Sequence, residues 1–339
     1  MKNVSIIGFA LSVCMIVVLS FNCGEKAMTS EELLSQADEQ FKSRDYEGAR
    51  VAYDSVVAAA VQENNNSVLT EAYSQIARCY IIAGDLEQGS QWLDKAEKIA
   101  KADEPDGWSR FLGVRGRLEW QEVALEKGEL TPVVKKAAET FKEMYSFCLD
   151  QKLFSRAIDA AHMVAIVGGT DERIEWGEKG IKAAEEGKIT DWLGPLWNNH
   201  GWNLNEMGEY NKSLEALINA RRYHHMGQNE LSKLVADWSV GHAYRMTNQL
   251  DSALSWMTGV HDWANTRYLA DSTGENAEWI GFANQELGEI ALAEKRLNEA
   301  LDHFNAAKIR LEEAEMPQWD KKGFEELTVK ISELENELK

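Results

Sequence analysis

Near the C-terminus, apolar residues fall at Phe324, Leu327, Ile331, Leu334 and Leu338, at spacings of 3, 4, 3 and 4, with Glu and Lys frequent between them. That rhythm draws one apolar stripe along a helix. The stretch "MPQW" separates it from the rest of the chain. Upstream, a six-letter pattern recurs: a turn residue, a polar one, Tyr or Leu, and a small residue three places later. It reads "RDYEGA" at Arg44, "GDLEQG" at Gly84, "GELTPV" at Gly128, "GEYNKS" at Gly208, "NQLDSA" at Asn248 and "KRLNEA" at Lys295, with a degenerate "GTDERI" at Gly169. Successive copies lie 40, 44, 41, 39, 40 and 47 residues apart.

Each copy has the same physical content. Its first residue must end one helix, which favours a left-handed backbone and hence Gly or Asn. The polar residue after it can cap the next helix, and the Tyr or Leu packs back across the bend. The small residue (Ala49, Gly89, Ser213, Ala253 or Ala300) has a partner twelve positions upstream in Ala37, Ala77, Gly201, Gly241 or Gly288. Facing small residues let two antiparallel helices approach closely. Pro105, Pro195 and Pro317 fall between units and Pro132 at the start of a second helix, where proline is tolerated. The 47-residue step holds "ANTRYLADSTGENAE", which reads as a longer loop between units.

This pattern resembles the tetratricopeptide repeat. The second unit fits through Tyr73, Ile76, Ala77, Tyr80, Gly89 and Leu93, and the fifth through Trp197, His200, Gly201, Leu204, Ser213 and Leu217. The sixth fits through Val240, Gly241, Tyr244, Ala253 and Met257, and the seventh through Leu287, Gly288, Ala291, Ala300 and Phe304. A period near 40 instead of 34 implies helices extended by about one turn. The resemblance implies an all-α, right-handed α-solenoid of about seven helical hairpins over residues 31–312. Residues 318–339 are expected to form an amphipathic capping helix, since a solenoid needs a polar-backed cover for its last face. A two-stranded coiled coil is the alternative use of that stripe.

Composition adds an address. The apolar run "VSIIGFALSVCMIVVLSF" after Lys2, followed by "NCGEK", resembles a bacterial lipoprotein signal over residues 1–22. The resemblance implies acylation of Cys23, a linker over 23–30, and an exported protein held on the periplasmic or cell-surface side of an envelope membrane. An uncleaved anchor and ordinary signal cleavage are the other outcomes. The formal net charge of -20 repels phosphate backbones and argues against nucleic acid. Cys79 and Cys148 share no CxxC spacing and read as buried small residues, with a disulfide as the alternative.

No phosphate loop, HExxH, CxxC pair or GxSxG elbow is present. His224 and His225 are adjacent and point to different sides of a helix, so no metal site is expected there, and no cofactor. His200 reads as a packed helix residue satisfied by a neighbour. Eight of the twelve tryptophans fall between Trp176 and Trp279. In tetratricopeptide solenoids the first helices line the concave face. The register around the small residue then puts Asn198, Trp202, Asn205, Trp238, His242, Arg245, Phe282 and Gln285 in the groove. Aromatics among amides, His and Arg suit an extended peptide.

The leading reading is a non-catalytic, membrane-anchored scaffold that binds a protein or peptide segment. The rival is a sugar-acting helical toroid or a sugar-binding protein, in which Trp238 stacks on a sugar ring beside Asp237. The sequence decides neither the partner nor the oligomeric state.

Overall fold

The computed structural model describes residues 27–127, 134–272 and 274–339. Cys23, the segment before it, and the "GELTPV" turn with Pro132 lie outside the described residues. Among those described are sixteen α-helices and no strand. Seven hairpins come first: α1 (Ser30–Lys42) with α2 (Tyr46–Glu63), α3 (Asn66–Ile82) with α4 (Leu86–Glu97), α5 (Pro105–Lys127) with α6 (Lys135–Asp150), and α7 (Phe154–Val167) with α8 (Thr170–Glu186). Then follow α9 (Leu193–Glu206) with α10 (Tyr210–Met226), α11 (Glu230–Met246) with α12 (Leu250–Ala270), and α13 (Gly274–Ala293) with α14 (Leu297–Glu313). Two helices end the chain, α15 (Met316–Trp319) and α16 (Lys321–Glu337).

The turns form where the pattern places them. Arg44, Gly84, Gly208, Asn248 and Lys295 all adopt positive φ, between 58° and 81°. At the first turn Asp45 N bonds to Gln40 O and Arg44 N to Phe41 O, closing the last turn of α1. Tyr46 packs edge-on against Phe41 at 5.1 Å. The expected capping holds only where the polar residue is Asp: Asp45 and Asp85 accept from the backbone of the next turn. Glu209, Gln249 and Arg296 make no such bond, because a longer side chain does not fold back onto its own helix start.

The paired small residues sit at fully closed contacts. Ala37, Ala49, Ala253 and Ala300 have no exposed surface. A Cβ built on Gly288 would lie 2.7 Å from the Phe304 ring, and one on Gly201 2.6 Å from Leu217. "ANTRYLADSTGENAE" is not a loop. α12 runs on to Ala270 and α13 begins at Gly274, because Ala264 and Ala277 continue the buried rows of both helices. Arg310 of α14 also lies over the Tyr268 ring at 4.4 Å, holding the extension down.

Successive first helices touch: α1 with α3, α3 with α5, α5 with α7, and α11 with α13. No comparable contact joins successive second helices among the described residues. First helices therefore line the inner side of the curve. At the end, Leu327, Ile331 and Leu334 of α16 are buried in one cluster with Phe304 and Leu311 of α14, so the C-terminal stripe is spent within this chain.

Candidate binding groove

The inner face carries a run of rings across α9, α11 and α13. Trp202 stacks on Trp238 with centroids 5.7 Å apart and planes 21° from parallel. His242 lies 4.9 Å from Trp202 and 5.6 Å from Trp238. Phe282 continues the run at 6.1 Å from Trp238, flanked by Trp279 and Trp319. Helices α9 and α11, like α7 and α9, lack the close contact seen among the earlier first helices and between α11 and α13, and these rings bridge α9 to α11. Offset and edge-on pairs of this kind are favourable beyond their burial, by ~1 kcal/mol each.

Of the eight residues expected in the groove, Trp202, Trp238, His242, Arg245 and Phe282 come together. Arg245 is not open to a ligand. Its Nε and Nη2 donate to Glu286 at 2.7 and 3.1 Å, a two-pronged pair. His242 Nδ1 meets the same carboxylate at 2.9 Å. Burial works to raise the Glu286 carboxyl, but the hydrogen bonds from His242 and Arg245 outweigh it and hold it at about 2. Gln285 faces a cavity of about 250 Å³ closed by α16, with Trp238, Phe282, Leu327 and Lys330 in its walls. It therefore lies under the cap and not in the open groove. Asn198 and Asn205 are half-buried on α9, and the side-chain oxygen of each makes no hydrogen bond to the other six. Glu286 was missed because it lies two residues before its small residue Gly288, outside the register used for groove positions.

Polar atoms in this half lack partners within the chain. Asn198 Oδ1, Asn205 Oδ1, Trp238 Nε1 and His242 Nε2 are buried without a hydrogen bond. His200 is buried as expected, yet its Nδ1 is also unpartnered. It packs against Gly177 and Trp197 instead of bonding to a neighbour.

Trp238 and Asp237 face different ways. The Asp237 carboxylate takes Arg221 Nε at 2.6 Å and His225 Nε2 at 2.8 Å. It lines a separate cavity with Trp256 and Trp263 on the outer helices. Sugar chemistry that needs ring and carboxylate side by side has no such pair at this position. Cys79 and Cys148 are free and buried, with burial pushing their thiols up to about 11 and about 12.

The inner face of the first four hairpins is built from charges. Arg110 on α5 donates to Asp38 on α1 at 2.7 Å and to Glu71 on α3 at 3.2 Å. Arg156 on α7 reaches the same Glu71 at 2.6 Å. Tyr53 and Gln75 complete the hydrogen bonding of Asp38. The register that marks the groove in later units finds part of this site when extended backwards, since Asp38 and Arg78 each follow the small residues Ala37 and Ala77.

The chain matches no protein-family model and no curated protein sequence. Solved structures do resemble it. One is a STAND signal-transduction ATPase with a tetratricopeptide repeat sensor from Pyrococcus horikoshii: 14% identity, TM-score 0.68, covering 88% of this chain and 43% of that one. The chain thus spans less than half of that protein. Others are the apo form of RapI (13% identity, TM-score 0.52, 84% of this chain and 76% of that one) and BtubC from P. vanneervenii (14%, 0.50, 69% and 90%). The fold is a tetratricopeptide-like helical solenoid. At such identity the likeness extends to fold alone.

Among the described residues no helix is long and apolar enough to cross a membrane. None of them forms a group of three or more His, Cys, Asp or Glu able to hold a metal ion.

Proposed function

We propose that this chain is a non-catalytic scaffold that binds a peptide or protein segment along the aromatic half of its inner face. The observation that carries this reading is the ring run from Trp202 to Phe282 beside unpartnered polar atoms on the same helices. Asn198 Oδ1 and Asn205 Oδ1 are acceptors for which backbone N–H groups of an extended peptide are natural partners. Half-buried rings supply the apolar contact that makes such sites tight. Against an acid-base site stands Glu286, the carboxylate nearest the rings. Held at about 2, it has no proton to give at neutral pH.

The test is a photo-crosslinking residue at Asn205, with a matched probe at exposed Glu215 on α10. A single adduct from the inner probe alone, abolished by Trp238→Ala in a protein of unchanged helicity, is the expected result. Equal adducts from both probes would sink the groove. We also place the protein on an envelope membrane through acylated Cys23, supported by the "NCGEK" context. Cys23→Ala should then move it to the soluble fraction. Retention on the membrane would replace the lipid with an uncleaved anchor.

A further inference from the structure

A cavity of about 450 Å³ on the inner face opens between α1, α3, α5 and α7, far in sequence from the aromatic rings. Its walls include Arg78, Arg110, Arg156 and Asp159, with Lys42 and Arg44 also among its lining residues. Arg110 and Arg156 are ion-paired to Asp38 and Glu71, and Arg117, just beyond, to Asp159 at 2.6 Å. Arg78 has no ion pair among the described residues, and its Nε is buried without a hydrogen bond. Its guanidinium only lies over the Phe41 ring at 4.8 Å.

Four guanidinium groups thus share three carboxylates, Asp38, Glu71 and Asp159, leaving a surplus of one positive charge inside the cluster; of the exposed cations at its mouth, Lys42 is paired with Glu39 and Arg44 is in solvent. This happens in a protein whose formal net charge is -20. His162 beside them does not add to the surplus at neutral pH, because burial lowers its pKa against the pull of Asp159. A buried cation without a counter-charge is costly and is normally paired.

We propose that Arg78 is the centre of a second binding site, one that takes a single carboxylate from an acidic peptide ligand. A surplus of one charge matches a monoanion and falls short of a dianionic phosphate. The free edge of a guanidinium is matched to a planar carboxylate. The strain on the empty-handed cation is consistent with this: burial, with Arg117 adding to it, lowers the Arg78 pKa to about 9. The site stands apart from the aromatic run, so either could exist without the other.

Titrating the full chain, labelled with ¹⁵N at arginine Nε, tests the site. Three probes serve: N-acetylglutamate amide, its uncharged glutamine counterpart, and inorganic phosphate. The Arg78 Nε–H resonance, assigned by its loss in Arg78→Met, is expected to move with the glutamate probe and stay still with glutamine. Arg78→Met balances the cluster at three charges of each sign and keeps an apolar stem against Phe41. It should raise the melting midpoint by about 2 °C while weakening glutamate binding by about tenfold or more. An unmoved Arg78 resonance, equal response to glutamine, tighter response to phosphate, or a lowered melting midpoint in Arg78→Met would each overturn the proposal. None of these outcomes touches the crosslink from Asn205.

Discussion

The two halves of the inner face solve one packing problem with different chemistry. In the first four hairpins successive first helices lie in contact, and long arginine side chains tie each to the next: Arg110 joins α5 to α1 and α3, and Arg156 joins α7 to α3. Between α9 and α11 the helices stand further apart, and flat rings bridge them. The small residues differ between the halves. Hairpins one and two use Ala37 and Ala77, whereas hairpins five to seven use Gly201, Gly241 and Gly288, each pressed by a large side chain from its partner helix. Hairpin three has such a contact as well, since a Cβ built on Gly116 would lie 2.7 Å from the Phe141 ring, so close shape serves both halves and charge pairing is added in the first. The ligand chemistry proposed for each half follows from what its helices leave over: one unpaired cation in the first, half-buried rings and unpartnered amide oxygens in the second.

The largest expected effects strike the shared carboxylates. Glu71→Ala strands Arg156 and leaves Arg110 with Asp38 alone, in a cluster already one charge in surplus, and should cost ~4 kcal/mol. Glu286→Ala strands one arginine beside a histidine and should cost ~3 kcal/mol. Urea unfolding measures both. Losses near zero would mean that solvent reaches these pairs and that charge does not organise the first half.

Next come the small residues of the second half. Gly288→Ala drives a methyl into the fully buried Phe304 ring and should destabilise by ~1–3 kcal/mol. Gly259→Ala, at an open position of α12 with nothing within 4 Å, should stabilise by ~0.5–1 kcal/mol through helix propensity alone. Finding the same sign for both would undo the argument from shape.

These positions also mark what could be read from sequence. The turn pattern places five hairpins through a left-handed residue at a fixed spacing, a local requirement that leaves a trace in sequence, whereas the degenerate turn at Gly169 has an ordinary negative φ. The ring run is legible by the same register. The pairing of Arg245 escapes it, although the residue itself does not, because its partner Glu286 is 41 residues away, and no local pattern records a pair that only stacking of two hairpins creates. The charged half escapes for the same reason: the Arg156–Glu71 pair spans 85 residues. The extension of α12 to Ala270 and the early start of α13 at Gly274 are hidden because Thr, Ser and Gly read as loop until tertiary packing overrides them.

A smaller effect separates ring stacking from simple burial. Trp202→Ala and Trp238→Ala combined in a double-mutant cycle should show a coupling of ~0.5–1.5 kcal/mol. Coupling indistinguishable from zero would mean that each ring is held by its own helix and that the gap between α9 and α11 is filled independently from both sides.

The smallest effect concerns pH and bears on the middle of the chain, where the two halves meet. Burial lowers the pKa of His200 on α9, against the opposing influence of Glu178, and lowers that of His162 on α7 as well. A histidine whose folded pKa lies below its ordinary value of 6.5 takes up a proton more readily once unfolded. Its contribution is therefore retained above that value and lost as pH falls from there towards the folded pKa. The wild-type melting midpoint should fall between about pH 7.5 and about pH 5.5. His200→Leu removes one of these groups together with an unpartnered ring nitrogen, and places an apolar side chain in a buried slot. Its midpoint should be higher at both pH values and should fall less between them, since Glu286 and Asp159, held at about 2, keep their charges throughout this range. A variant as pH-sensitive as the wild type would move the acid response away from His200 and towards His162, His224 and His303, whose pKa values burial lowers as well.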